Sequence, residues 1–401
     1  MKDTVDRISS LPDDVLIHIL SYVTTKEAVQ TCILSKRWRN TWACVPVLKF
    51  GHSYLGLNGT TLSWKLERFV NGVLANRGRS RLDTVTYHCH LINRTLEPSM
   101  EWLGRVALLM PQVISVNISG FDEFKCPDSV FSCASLESLE FSLSDKILNI
   151  TGPLKSIALP SLKTLNLRCV RLDDNFTQKL FSGCPVLERL TLSRCELSIS
   201  DISSNVLKNL KLFECKQFGH VRVSCPSLVS LFIHSEHSIR IISLENTASL
   251  VNAEITLVGI DEHLKAFLPN PKLLNGLSNA TTLELHFAHS PELQEQWKED
   301  ICECRTFHNL KRLKIEGEDM ISDFDLIACF LRHSPVLQQL TMYTWHTRSQ
   351  GDEESRQDVC FQREYLETVT INSYRNDTVA SKLVTMLGRY VKTIGNIIII
   401  K

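Results

Sequence analysis

The sequence predicts an α/β protein in which a small domain of three helices is followed by a solenoid of stacked repeats. Three observations support this fold class. Residues 7–42 contain three short helical patterns. From residue 82 onward, the pattern Leu-x-x-Leu-x-Leu recurs along the chain. The length of 401 residues exceeds that of an ordinary single globular domain, but a repeat array can grow in one dimension without a larger core.

The N-terminal domain is predicted from helix-start signals and apolar spacing. Pro12 suits the first position of a helix, where its missing N–H is not needed, and Asp13 and Asp14 complement the positive end of the helix dipole. Thr24 and Glu27 form a capping box that opens a second helix. The first helix carries one broad apolar stripe, which consists of Val15, Leu16, Ile19, Leu20 and Val23.

This domain has more apolar surface than it can bury internally. A third short helix places Trp38 and Trp42 four residues apart, on one face. Three helices in about 36 residues form a very small body, which cannot enclose all of these side chains. The surplus predicts an exposed apolar surface that a partner covers.

The same segment is similar to a known family. The run Leu11-Pro12-Asp13-Asp14-Val15-Leu16, followed by Leu34-Ser35-Lys36-Arg37-Trp38, resembles the F-box of plant F-box/leucine-rich-repeat proteins. In that family, the F-box binds a Skp-family adaptor, which is linked to a cullin scaffold. The resemblance implies that the adaptor-binding residues are Leu11, Pro12, Val15, Leu16, Ile19, Leu20, Leu34 and Trp38. The alternative is that these residues are the core of a helical domain, as some must be, with Trp42 as the first candidate.

The repeated pattern after the N-terminal domain is that of leucine-rich repeats. Successive copies begin 20 to 31 residues apart, close to the roughly 20–29 residues of known leucine-rich repeats. Each unit is expected to place a short strand in a parallel sheet on the concave face and a turn with a helix or irregular piece on the convex face. The copies begin at Leu136, Leu162, Leu187, Leu207, Leu228, Leu250, Leu310, Leu337 and Leu366, with weaker ones at Leu82, Val113 and Ala280.

Residues between the leucines point away from the core, because side chains alternate along a strand. Aromatic side chains on this otherwise polar face are typical of a binding surface. The predicted target-binding residues are Arg168, Phe213, Phe232, His234 and Tyr343. The alternative is that Phe213 and Phe232 pack under a neighbouring loop.

The patterns divide the chain into five regions. They are an F-box (1–50), a linker with a capping helix (51–81), the leucine-rich-repeat solenoid (82–346), a polar loop (347–359) and a C-terminal region (360–401). The last region is similar to the FBD region of many plant F-box/leucine-rich-repeat proteins. It departs from that family at Arg375-Asn376-Asp377-Thr378, which replaces a Gly-containing turn and an acidic residue. We interpret it as a cap for the solenoid.

Composition limits the partners and the location. The 44 basic and 44 acidic residues give a net charge of zero, which argues against nucleic acid or a membrane surface as the general partner. The sequence has no apolar run long enough to span a membrane and no signal-peptide pattern, so the expected location is intracellular, in the nucleus or cytoplasm. The 14 cysteines are then expected to be free thiols.

We find no motif for catalysis and expect no catalytic, cofactor-binding or metal-binding residues. Cys302, Cys304 and His308 are three potential metal ligands, but a structural zinc site requires four with better spacing. The family resemblance implies a non-catalytic substrate-recognition subunit of an SCF-type E3 ubiquitin ligase, in which the F-box binds the adaptor and the repeats bind an unidentified target protein. The alternative is a repeat-containing scaffold or receptor that acts outside a ubiquitin ligase.

Overall fold

The structure, a computed structural model, describes residues 8, 10–51, 62–78, 80–90, 100–120, 124–144, 147, 156–217, 219–235, 242–258, 271–288, 301, 303–317, 324–344, 363–373 and 377–400. The predicted polar loop at 347–359 therefore lies outside the described residues. The chain forms two compact units, residues 1–196 and residues 197–401.

The first unit begins with the three predicted helices, α1 (Asp13–Leu20), α2 (Thr25–Gln30) and α3 (Trp38–Thr41). The capping box of α2 is confirmed, because the Thr24 hydroxyl accepts the Glu27 amide and the Glu27 carboxylate accepts the Thr24 amide. A 3-10 turn, Thr31–Ile33, follows α2. These short helices pack around one small core that also includes the residues just before the first strand.

The first unit continues as a parallel sheet of short strands. Its strands are β1 (Val47–Gly51), β2 (Thr84–His90), β3 (Val113–Ser119), β4 (Ser138–Ser144), β5 (Thr164–Arg168) and β7 (Arg189–Ser193), in that order, with the short β6 (Arg171–Asp173) outside it. The connecting helices are α4 (Leu62–Asn76), α5 (Glu101–Ala107) and α6 (Asp174–Gly183). The helix predicted within residues 51–81 is thus present as α4.

The second unit is built in the same way. The short strand β8 (Glu196–Ser198) lies at the boundary between the two units. The strands that follow are β9 (Asp201–Ser203), β10 (Asn209–Phe213), β11 (Lys216–Gln217), β12 (Val221–Ser224), β13 (Ser230–Ser235), β14 (Ile242–Glu245), β15 (Asn252–Val258), β16 (Thr282–Ala288), β17 (Arg312–Gly317), β18 (Gln339–Thr344), β19 (Arg363–Ser373) and β20 (Val391–Ile400). The helices are α7 (Pro271–Leu277) before β16, α8 (Phe324–His333) before β18 and α9 (Asp377–Tyr390) before β20. The main sheet runs β10-β13-β15-β16-β17-β18-β19-β20, and β14-β12-β9 form a smaller sheet.

Register explains why the leucine pattern specifies this fold. In the first unit, Leu139, Leu165 and Leu190 stand side by side on adjacent strands and are buried. In the second unit, Leu231, Ala253, Leu283, Leu313 and Leu340 form the equivalent row and are buried as well. Each strand therefore buries its leucines against the strand of the next repeat, as expected for stacked repeats. The predicted fold class is confirmed.

The described cysteines are free thiols, and most are buried in the repeats. The Cys195 thiol lies 3.5 Å from the Leu167 carbonyl oxygen, and the Cys225 thiol lies 3.6 Å from the Ile202 carbonyl oxygen. Burial raises the pKa of Cys184 to about 12 and that of Cys225 to about 11. Cys184, Cys195 and Cys225 therefore act as small core residues, and Cys195 and Cys225 also contact backbone carbonyls of the preceding repeat.

A buried arginine connects the N-terminal helices to the first repeats. Arg77, next to the C-terminus of α4, is only 2% exposed. Its guanidinium donates hydrogen bonds to the carbonyl oxygens of Val45, in the helical core, and Arg81, just before β2. Burial lowers its pKa to about 10, so the group stays charged at neutral pH.

The C-terminal region continues the second sheet with β19 and β20, which pair in parallel. β20 ends in four consecutive isoleucines, Ile397, Ile398, Ile399 and Ile400. These four isoleucines are 43%, 47%, 45% and 50% exposed. The described part of the chain thus leaves this outer strand half exposed and does not cover it.

Candidate functional site

The first candidate surface lies on the N-terminal helices, whose core divides the predicted adaptor-binding residues into two groups. Leu16 is 0%, Leu20 4% and Trp38 5% exposed, and together with Ala28 and Val45 they form the core of the domain. Leu11 and Trp42 are partly buried against the same core. The bulk of Leu16, Leu20 and Trp38 therefore supports the fold and offers little surface to a partner in this conformation.

The other predicted residues face solvent. Val15 is 40%, Ile19 43% and Leu34 65% exposed, and Pro12 is exposed too. Val15 and Ile19 lie one helical turn apart on α1, and Tyr22, which is 70% exposed, extends the same stripe. Whether these side chains bind an adaptor stays a prediction, but they are available to do so.

Two further exposed apolar residues of this domain, Ile8 and Ile33, are not among the predicted adaptor-binding residues. Ile33 is 84% exposed and Ile8 is 58% exposed. Ile33 ends the 3-10 turn that follows α2 and stands next to Leu34. Helical spacing gives no signal for this, because Ile33 lies in the 3-10 turn and not in α2.

Arg37 fixes the start of α1 relative to α3. It makes an ion pair with Asp13 at 2.6 Å and donates a hydrogen bond to the carbonyl oxygen of Leu11. Thr25 accepts the amide of Lys49 at 2.7 Å, which attaches α2 to β1. These polar contacts hold the exposed apolar side chains on a defined framework.

The second candidate surface is the outward face of the strands. Arg168 lies exposed on β5 of the first unit. In the second unit, Phe213 and His234 are adjacent on β10 and β13, and their rings stack at 4.9 Å. Phe213 also stacks on Phe232 at 6.4 Å, and the Lys211 ammonium lies 4.4 Å from the centre of the Phe232 ring. Both phenylalanines are half-buried by each other and by these neighbours, so they form part of the outward surface.

A charged group follows on the next strands of the second unit. Lys314 pairs with Glu284 at 3.0 Å and lies 5.1 Å from the ring centre of Tyr343. Partial burial acts to lower the pKa of Lys314, but the hydrogen bond and charge of Glu284 outweigh it and raise the pKa. His286 contacts Glu316 through Nδ1 at 2.8 Å and approaches Glu254 through Nε2 at 3.9 Å. Of the residues in this charged group, Tyr343 alone is among the predicted target-binding residues.

Neither surface has the features of a catalytic or metal site. Among the described residues, no group of three or more His, Cys, Asp or Glu side chains is arranged to hold a metal ion. Cys302 of the motif considered above lies outside the described residues. Within the described part of the chain, no helix is both long and apolar enough to cross a membrane.

Comparison with known proteins agrees with this arrangement. A model of the F-box domain matches residues 8–50, and a model described as FBD-associated F-box protein At5g56370, LRR repeats, matches residues 101–255. Neither model describes an enzymatic domain.

The chain is also similar to plant proteins whose names include an F-box. The chain is 28% identical over 373 residues to F-box/LRR-repeat protein 13 of Arabidopsis thaliana, across 87% of this chain and 79% of that protein. It is 28% identical over 380 residues to FBD-associated F-box protein At4g13985 of the same plant, across 85% and 77%. A shorter match, to F-box/LRR-repeat protein At4g14103 of Arabidopsis thaliana, is 35% identical over 212 residues, across 51% and 54%. The chain therefore carries an F-box domain and FBD-associated leucine-rich repeats, and it is a relative of plant F-box/LRR-repeat proteins.

Proposed function

We propose that this chain is the substrate-recognition subunit of an SCF-type E3 ubiquitin ligase. In this proposal the F-box binds a Skp-family adaptor, which is linked to a cullin scaffold, and the outward faces of the repeats bind a target protein. The chain performs no chemistry itself and contributes proximity, because it holds the target near an enzyme bound elsewhere on the complex. It acts inside the cell, in the nucleus or cytoplasm.

One observation carries the proposal. The F-box has a filled core, yet Val15, Ile19, Ile33 and Leu34 remain 40–84% exposed. Burial of each such side chain in an interface contributes about 1.5–3 kcal/mol before the entropy of association is subtracted. An exposed apolar surface of this kind on a very small domain is typical of a docking site.

We expect Ile19→Asp and Leu34→Asp each to weaken adaptor binding by about 100-fold or more, because each change removes apolar contact and desolvates a carboxylate without a partner. The measurement is the dissociation constant for a purified Skp-family adaptor, alongside co-purification of the two proteins. Circular dichroism should show both variants folded, since both positions are exposed.

Val15→Asp is a further test of the docking surface, and Val186→Asp is its matched control. Both valines are 40% exposed, but Val15 lies on α1 and Val186 lies in the repeats, just before β7. Val15→Asp should weaken adaptor binding, whereas Val186→Asp should bind like the native chain. Leu16→Asp is unsuitable as a test of docking, because it places a charge in the domain core.

Two results would contradict the proposal. If folded native chain does not bind the adaptor, the ligase role fails, and a scaffold or receptor outside a ubiquitin ligase becomes the better account. If Ile19→Asp and Leu34→Asp both bind like the native chain, these exposed residues are not the docking surface.

A further inference from the structure

The outward face of the first unit carries more cations than anions. The six strands of its main sheet, β1 to β5 and β7, contain one carboxylate, Glu140, against three permanent cations, Lys49, Arg168 and Arg189. These side chains alternate with the buried residues of their strands, so they share the outward face. Glu140 already accepts a hydrogen bond from the Ser115 hydroxyl at 3.0 Å. The balance of charge on this face therefore favours an anionic partner.

Two of the three cations are already engaged. The Lys49 ammonium donates to two backbone carbonyl oxygens just after α1, at 2.9 and 3.2 Å. The Arg189 guanidinium donates to the Thr164 hydroxyl at 3.0 Å and lies 3.5 Å from the Glu188 carboxylate. Arg168 is exposed, and its guanidinium makes neither a hydrogen bond nor an ion pair with any described residue. The donors of Arg168 are therefore available to a partner.

The neighbours of Arg168 on the sheet are polar and uncharged. Arg168 is in register with Ser142 on β4 and with Ser193 on β7, and Asn166 lies two residues earlier on the same face of β5. Ser193 and Asn166 are partly exposed, so both can donate to an acceptor that is bound at Arg168. Glu140 is in register with Asn166 instead and makes no ion pair with Arg168. The surroundings of this guanidinium thus complement an anion and supply no competing carboxylate.

We infer that the outward face of the first unit binds a target segment that carries an aspartate or glutamate, whose carboxylate pairs with Arg168. The inference rests on the proposed function, since it names the class of target that the repeats recognise. A guanidinium can donate two parallel hydrogen bonds to one carboxylate, which adds a fixed orientation to the attraction of charge. One available guanidinium matches the single charge of a carboxylate. A phosphate carries nearly two charges and calls for a second cation, which the engaged Lys49 and Arg189 do not supply.

Selection from a randomised peptide library tests the inference without knowledge of the target. The native chain and the charge-reversal variant Arg168→Glu each select peptides from the same library. We expect the native chain to enrich Asp or Glu at one position and the variant to enrich Lys or Arg there. A selected peptide should bind Arg168→Gln about tenfold more weakly than the native chain, and its Asn or Gln analogue should lose affinity likewise.

Arg105→Glu is the matched control for charge. It makes the same change of net charge at an exposed position of α5, outside the sheet, where the native side chain donates to Asn71. A selected peptide should bind this variant like the native chain. Equal weakening by Arg105→Glu and Arg168→Glu would show a general effect of charge and overturn the inference. The inference also fails if the native chain enriches no acidic residue, or if Arg168→Glu selects the same peptides.

Folding and adaptor binding are measured on the same preparations. Both Arg168 variants should keep the native unfolding midpoint and the native affinity for the adaptor, because Arg168 is exposed and lies outside the F-box. A native chain that binds the adaptor but enriches no acidic residue contradicts the carboxylate inference and leaves the ligase role standing. A native chain that does not bind the adaptor contradicts the proposed function, whatever peptides it selects.

Discussion

Replacement of Gly183 by alanine is expected to destabilise the protein by about 3 kcal/mol, at the upper end of the usual cost of overpacking. A Cβ atom at this position would stand 2.0 Å from the carbonyl oxygen and 2.6 Å from the carbonyl carbon of Ile157. Both are backbone atoms, so no side-chain rotation can relieve the overlap. The Gly183 carbonyl also accepts the Leu159 amide at 2.9 Å, which fixes the close approach of the two segments. The end of α6 must therefore move away from the segment that leads into β5.

Thermal unfolding measures this effect, and the chain provides its own control. A loss of about 3 kcal/mol should lower the unfolding midpoint by roughly 6–12 °C for a unit of this size. Gly72→Ala is the matched control, because Gly72 lies inside α4 and a Cβ there meets nothing within 4 Å. That change should be neutral or stabilise by about 0.5–1 kcal/mol. Equal midpoints for the two variants would contradict the packing argument.

Replacement of Arg77 by alanine is expected to lower the free energy of unfolding by a similar amount, about 3 kcal/mol. The change leaves the carbonyl oxygens of Val45 and Arg81 without their buried donor and opens a cavity beside the helical core. Removal of a buried charge returns part of this cost, because its desolvation is no longer required. The loss remains the larger effect, since the Val45 carbonyl is buried and is left without a donor in the folded state.

The measurement is again the unfolding midpoint, together with the rate of limited proteolysis between the F-box and β2. Arg81→Ala is the control, because the Arg81 side chain is 75% exposed and its ion pair with Asp83 lies at the surface. Such a pair contributes about 0–1 kcal/mol. Arg77→Ala should lower the midpoint by several degrees and speed cleavage, whereas Arg81→Ala should do neither. A native-like Arg77→Ala variant would show that the buried guanidinium is dispensable.

Much of the fold could be predicted because the pattern Leu-x-x-Leu-x-Leu occurs many times along the chain. Each leucine is buried against the neighbouring repeat, so the spacing of leucines in the sequence agrees with the burial in every strand. The turns that follow the strands were harder to predict from the sequence. Cys169, Arg194 and Glu214 follow β5, β7 and β10 and adopt left-handed backbone conformations with φ of 57°, 52° and 50°. Glycine is the usual signal for this conformation, and here the positions carry other residues.

The proposed docking surface could be predicted only as a region. On α1, Val15 and Ile19 form one turn-spaced pair and Leu16 and Leu20 another, and all four are apolar. Helical spacing therefore cannot tell which pair faces the core, and the structure places Leu16 and Leu20 there. The charged group of the second unit was missed for a different reason. Its members come from separate repeats, and only the register of the strands brings them together.

The buried thiols have a practical consequence for labelling. With pKa values of about 12 and 11, Cys184 and Cys225 have only roughly one in ten thousand and one in a thousand molecules as thiolate at pH 8, and the thiolate is the form that reacts with alkylating reagents. Among the described cysteines, Cys44 is exposed and Cys32 is partly exposed, and both lie in the F-box. Among the described cysteines, a maleimide dye applied briefly to the native protein should therefore mark those of the F-box first, and the label would lie in the domain proposed to bind the adaptor.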